Sequence, residues 1–208
     1  MSVIGMKWAA GALASAGLLL AASPAGAQAV DVWGGGLALA CSQAAQGDSD
    51  SIKDEQVCTA SIEKELLTPL DRAGTYVNRG VIKLRGKRYD EAIKDFDIAI
   101  RYKSNLAEAY MNRAAAHIGL RQFNVSLADI ENALLLGVKQ PEKAYYNRAV
   151  AHEYLDDFKD AWLDYKKALE IAPDWDLPRQ QLARFTVSHP IEALPVVDLP
   201  TAAQAPRP

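Results

Sequence analysis

Between residues 73 and 176, apolar positions recur at steps of three and four, as in Tyr89, Ala92, Ile93, Phe96, Ala99 and Ile100. That is the spacing of one face of a helix. Breaks fall at Gly86, Ser104-Asn105, Gly119, Gly137, Pro141 and Pro173, where helices are expected to stop. The pattern then repeats itself. Tyr76-Val77-Asn78-Arg79-Gly80 returns as Tyr110-Met111-Asn112-Arg113-Ala114 and as Tyr145-Tyr146-Asn147-Arg148-Ala149, at steps of 34 and 35 residues. Each unit continues with an aromatic (Tyr89, Phe123, Phe158), a small residue (Ala92, Ser126, Ala161), an aspartate (Asp95, Asp129, Asp164), a bulky apolar residue (Phe96, Ile130, Tyr165) and an alanine (Ala99, Ala133, Ala168). Each unit reads as two antiparallel helices joined by a tight turn. Gly80, Ala114 and Ala149 are expected to face the small residues at 92, 126 and 161, so that the helix axes approach closely. One helix pair cannot hide its own apolar stripe, so the units must stack.

These columns resemble the tetratricopeptide repeat: an aromatic, a small residue four later, then aromatic, alanine, aromatic and alanine, closing with proline. The match holds at Tyr76, Gly80, Tyr89, Ala92, Phe96 and Ala99 and at the same columns of the next two units. It departs at Ser126 and at the closing proline, kept only as Pro173. The resemblance covers 73–176, divided as 73–106, 107–141 and 142–176. It implies an all-α fold, a right-handed superhelical solenoid of stacked antiparallel helix pairs with capping helices. Residues 28–72 are similar to the degenerate half-repeat that leads exported bacterial members, with a helix over 51–62 turning Val57, Ser61 and Ile62 toward the first unit. After Pro173, Asp176 is expected to cap a closing helix over 177–187. Residues 188–208, with five prolines, read as a structureless tail.

The resemblance also implies a function: the first helices line a concave groove that holds a peptide or helix of a partner protein. In the family the asparagine of each first helix bonds the ligand's main chain, which assigns that role to Asn78, Asn112 and Asn147. Solvated asparagines on a helix face are the alternative. Val77, Val81, Leu84, Met111, Ala115, Ile118, Tyr146, Val150 and Tyr154 share the groove face, with Arg85, Glu108, Lys143 and Glu153 among them. Members that grip a chaperone's terminal carboxylate carry lysines and arginines where this chain has Val77 and Val81. The expected guest is therefore a segment with two or three apolar anchors, bound at about −8 kcal/mol. The apolar stretch 191–197 is a second candidate for the groove, and the edge faces are a route to self-assembly. Arg79, Arg113 and Arg148 each precede an aspartate by sixteen residues, Asp95, Asp129 and Asp164. This spacing predicts a ladder holding the stack in register, within a helix pair or across to the neighbouring unit.

The remaining sequence adds a compartment and removes chemistries. Lys7, an apolar run over 8–22 and the small-x-small triplet Ala25-Gly26-Ala27 read as a cleaved signal peptide over 1–27. The run is shorter than the roughly 20 residues of a spanning helix; an uncleaved anchor, with the chain as part of an envelope assembly, is the alternative. A periplasmic or secreted chain is expected to pair Cys41 with Cys58, with two buried free thiols as the other outcome. The net charge of −3 argues against nucleic-acid binding driven by positive charge. Gly86-Lys87-Arg88 lacks the spacing and the hydroxyl of a phosphate loop. His117 and His152 occupy equivalent columns roughly 10 Å apart in a helical stack, too far for a shared metal at about 2 Å. No catalytic triad, metal motif or cofactor fingerprint stands out, so no enzyme, cofactor, metal or small-molecule substrate is expected.

Overall fold

A computed structural model describes residues 27–32, 36–47 and 49–185, apart from the side chain of Arg184. The leader and the proline-rich tail lie outside the described residues, except Ala27. The described residues form nine helices and no strand: α1 (Gly36–Gln46), α2 (Ile52–Lys64), α3 (Pro69–Arg85), α4 (Tyr89–Tyr102), α5 (Ala107–Gly119), α6 (Phe123–Leu135), α7 (Pro141–Tyr154), α8 (Phe158–Ile171) and α9 (Asp176–Arg184). Successive helices pack as hairpins: α1 with α2, α3 with α4, α5 with α6, and α7 with α8, while α9 closes on α8. The odd-numbered helices α3, α5 and α7 also meet one another in order, so they form one wall of the stack.

Local chemistry sets the helix ends. Ser51 Oγ accepts the Lys53 N–H ahead of α2, and Thr68 Oγ1 accepts the Asp71 N–H ahead of α3, where Pro69 supplies a preset φ. The three hairpin turns share one device. Lys87, Arg121 and Asp156 carry the left-handed backbone, at φ 58°, 60° and 63°. Around them the next residue's N–H reaches back five positions: Arg88 to Lys83, Gln122 to His117 and Asp157 to His152. This is the Schellman closure. Only the link between the second and third units uses glycine for it, Gly137 at φ 76°.

The core runs through the stack in three clusters. Phe96, Ile82 and Leu84 anchor the first, Met111 and Ile130 the second, Tyr146 and Tyr165 the third. The close approach at Gly80 differs from the small-on-small contact expected there. A Cβ on Gly80 would stand 2.5 Å from the Phe96 ring, so the glycine admits an aromatic knob from α4. At the far end Trp175 packs on Tyr146 with centroids 5.0 Å apart, and Phe185 on Tyr165 at 6.1 Å. Asp176 does not cap α9: it is the helix's first residue and takes a hydrogen bond from Arg179. Trp175 occupies the cap position without a side-chain bond.

At the opposite end the α1–α2 hairpin is joined by a Cys41–Cys58 disulfide between fully buried residues. Glu65, just beyond α2, accepts the N–H groups of Leu37 and Ala38 at 3.0 and 2.9 Å and the Ser61 hydroxyl at 2.7 Å. A carboxylate at a helix N-terminus is favoured by the exposed donors there. Burial pushes the Glu65 carboxyl upward, and the three hydrogen bonds more than offset this, leaving it below its ordinary 4.5.

Candidate functional site: an asparagine-lined groove

Consecutive helical residues point about 100° apart, so the Asn-Arg pair in each first helix faces two ways. The arginines turn toward the second helix. Arg79 forks onto Asp95 at 2.9 and 2.7 Å, Arg113 onto Asp129 at 2.8 and 2.6 Å, and Arg148 onto Asp164 at 2.7 Å twice. Arg113 also donates to Asp97 of the preceding unit at 2.6 Å, so one residue makes both contacts the spacing left open. Each guanidinium lies over the tyrosine that opens its own motif, 5.2 Å from Tyr76, 5.5 Å from Tyr110 and 5.2 Å from Tyr145. The pKa of the Arg113 guanidinium is raised above its ordinary range: the hydrogen bond it donates to Asp129 raises it, burial lowers it, and Asp97 adds to the rise.

The asparagines turn the other way, and two of them are already engaged. Residues 28–32 lie extended along the wall formed by α3 and α5. The Val30 N–H donates to Asn78 Oδ1 at 2.7 Å, and Asn78 Nδ2 donates to the Val30 carbonyl at 2.8 Å. Two residues earlier the Gln28 N–H donates to Asn112 Oδ1 at 2.9 Å, and Asn112 Nδ2 returns to the Gln28 carbonyl at 2.9 Å. Each amide therefore satisfies both main-chain groups of one residue, which suits its joint donor and acceptor character. Gln28, Val30 and Val32 are buried while Asp31 is exposed, the two-residue alternation of a strand.

This segment is a strap with its own seat. A Cβ on Gly74 would meet Val32 Cγ2 at 2.8 Å and Val30 Cγ1 at 3.3 Å, so the glycine leaves room for both valines. Ser42 Oγ of α1 donates to the Val30 carbonyl at 3.0 Å from the other side. Asp31 points outward to Gln46 Nε2 at 2.9 Å and Lys139 at 3.8 Å.

The other groove residues fall into three places. Val77 and Val81 are fully buried in the same cluster as Val30, Ala27 and Ala29, beneath the strap. Met111 is buried in the second cluster, and Ile118 sits between the second and third. Tyr146 and Tyr154 do not line an open groove. Tyr146 packs inward against Tyr165, 5.5 Å between centroids, and Tyr154 stacks on Phe123 at 4.4 Å in the seam between units. Val150 is buried in the third cluster. Asn147, the third rung, is 5% exposed, and its Nδ2 has no hydrogen-bond partner among the described residues.

The family model for the tetratricopeptide repeat matches residues 73–106 and 142–174. The chain carries tetratricopeptide repeats. The middle repeat has the same Arg–Asp fork as both its neighbours and shares the asparagine clamp with the first. Among solved structures, the Arabidopsis OM64 tetratricopeptide domain is 28% identical, covers 56% of this chain and 96% of that one, and superposes with TM-score 0.54. The first tetratricopeptide domain of Spaghetti (RPAP3), bound to the HSP90 peptide SRMEEVD, is 26% identical over 55% of this chain and 90% of that one, with TM-score 0.53. MamA from Desulfovibrio magneticus RS-1 shares the fold at 17% identity, covering 71% of this chain and 82% of that one, with TM-score 0.57. A search of the curated proteins finds no match to the chain.

Among the described residues, no group of three or more His, Cys, Asp or Glu side chains is placed to hold a metal. No described helix is long and apolar enough to cross a membrane.

Proposed function

We propose that the protein is a non-enzymatic interaction scaffold of the cell envelope that holds an extended segment of a partner protein in its concave groove. The observation that carries this reading is the paired hydrogen bonding of Asn78 and Asn112 to the main chain of Val30 and Gln28. The groove grips backbone, and a backbone grip does not depend on the side chains of its guest. The similar Spaghetti domain carries an HSP90 peptide, which supports the use of such a groove for peptides. An acidic peptide is not the guest expected here: Val77 and Val81 are apolar and buried with Val30, so a guest brings aliphatic anchors spaced two residues apart.

The leader over 1–27 and the Cys41–Cys58 pair support an exported, periplasmic or secreted module. A second reading, a structural component of an envelope assembly, is favoured by the strap itself, because two of the three asparagines are filled by the chain's own residues. In-cell crosslinking separates the two. With a photoreactive side chain at Ile118, the first reading expects an adduct with another protein that is lost in the Asn78→Ala/Asn112→Ala/Asn147→Ala variant. An adduct recovered equally from both chains removes the groove as the binding site.

A further inference from the structure

Removing the leader after Ala27, as the proposed export requires, would leave Gln28 at the amino terminus, and the surroundings of Gln28 are unusual. Its side-chain Oε1 and Nε2 are both buried, and neither has a hydrogen-bond partner among the described residues. An unpaired buried amide is costly. Its main-chain nitrogen faces a single acceptor, Asn112 Oδ1. A cavity of about 280 Å³ opens beside it, lined by Arg85, Lys139 and Lys143 together with Gln46 and Gln140. A terminal ammonium there would carry three N–H donors where the nitrogen makes one hydrogen bond, to Asn112 Oδ1.

We infer that Gln28 is a modification site, converted to pyroglutamate after leader removal; the inference rests on the export reading above. The α-nitrogen attacks the side-chain carbon Cδ, and a new N–Cδ bond closes a five-membered lactam. The Cδ–Nε2 bond breaks, and a proton from the attacking amine goes to the departing nitrogen, which leaves as ammonia. No oxidant or co-reactant is consumed. The ring fits the clamp. Its one remaining N–H still donates to Asn112 Oδ1, and the Gln28 carbonyl still accepts from Asn112 Nδ2. The cyclisation removes the charge and the orphaned Nε2 together. The strap then ends in a neutral cap on the second asparagine.

The test is the intact mass of the full-length gene product, exported and purified from a Gram-negative host. The expected species is the disulfide-bonded chain of residues 28–208 lighter by one ammonia, with an amino terminus resistant to Edman degradation and opened by pyroglutamyl aminopeptidase after unfolding. The Gln28→Ala variant should show no such loss; ammonia loss there would place the reaction elsewhere and overturn the assignment. A wild-type chain starting at Gln28 with its full mass overturns the modification and leaves export standing. A chain that keeps its leader, or begins elsewhere, overturns both.

Discussion

The three groove asparagines occupy the same column of three repeats but have unequal surroundings, and that inequality gives a sharp prediction for Asn→Ala substitution. At Asn78 the change strands the buried Val30 N–H, while the Val30 carbonyl keeps Ser42 Oγ. One buried donor left without a partner costs about 1–3 kcal/mol, and the central estimate is about 2 kcal/mol. At Asn112 both main-chain groups of Gln28 lose their partner, but the adjacent cavity lets water reach that end of the strap, so the cost is again about 2 kcal/mol. At Asn147 the side chain already holds an unpaired buried Nδ2. Its removal should fall within about 0.5 kcal/mol of zero, because replacing a half-satisfied polar group by an apolar one can be neutral or stabilising. For a chain of this size about 1 kcal/mol moves Tm by roughly 2–4 °C, so Asn78→Ala and Asn112→Ala should each melt about 4–8 °C below wild type. Asn147→Ala should overlay it. The assay is urea and thermal unfolding by circular dichroism, joined to amide exchange at Val30, which should accelerate only when Asn78 is lost. Equal destabilisation at all three positions would refute the strap clamp, since equal cost means the column serves the repeat framework alone.

Arg113→Met should cost more than Arg148→Met. Both strand a mostly buried aspartate, but only Arg113 also bridges to Asp97 of the preceding unit; with partial exposure, the losses are about 2–3 and about 1–2 kcal/mol, read from denaturant midpoints. The Cys41→Ala/Cys58→Ala chain should lose about 3 kcal/mol, the value for closing a loop of this length, and reduction of the wild-type protein should reproduce that loss. Glu65→Gln should lower stability at pH 7 and flatten the acid limb of the stability profile. The folded Glu65 carboxyl is depressed below 4.5, so its contribution is full above the unfolded value and fades as pH falls through the folded one. Parallel wild-type and variant profiles below pH 5 would contradict that assignment.

The helical framework was legible because its signals are local and repeated. The tyrosine, aspartate and alanine columns report the same packing three times, and the sixteen-residue Arg–Asp interval is short enough to be fixed by one hairpin. The strap was not legible. Val30 and Asn78 are 48 residues apart, Gln28 and Asn112 84 apart, and periodicity along a helix says that a face is apolar without saying what covers it. The alternation Val30-Asp31-Val32 is the available trace, and it is too short to separate a strand from the end of the expected leader just before it. Tyr146 and Tyr154 went astray for a related reason. Helical spacing assigns a side chain to a face about a third of the circumference wide, and in a stacked array that arc includes both the groove and the seam to the next unit. Gly74 carried a signal of its own, a glycine inside α3 with no turn to make, and it gains a meaning only when the valines it admits are in place.

Occupancy by the strap sets the terms on which any guest enters. A segment tethered a few residues from α1 competes as an intramolecular ligand, at an effective concentration in the millimolar range for a short linker. It is held by four hydrogen bonds to the Asn78 and Asn112 side chains and by the burial of Val30 and Val32, each valine worth about 1.5–3 kcal/mol when fully buried. A guest with micromolar intrinsic affinity would bind far more weakly wherever it had to displace this strap, because apparent affinity falls with the fraction of open groove.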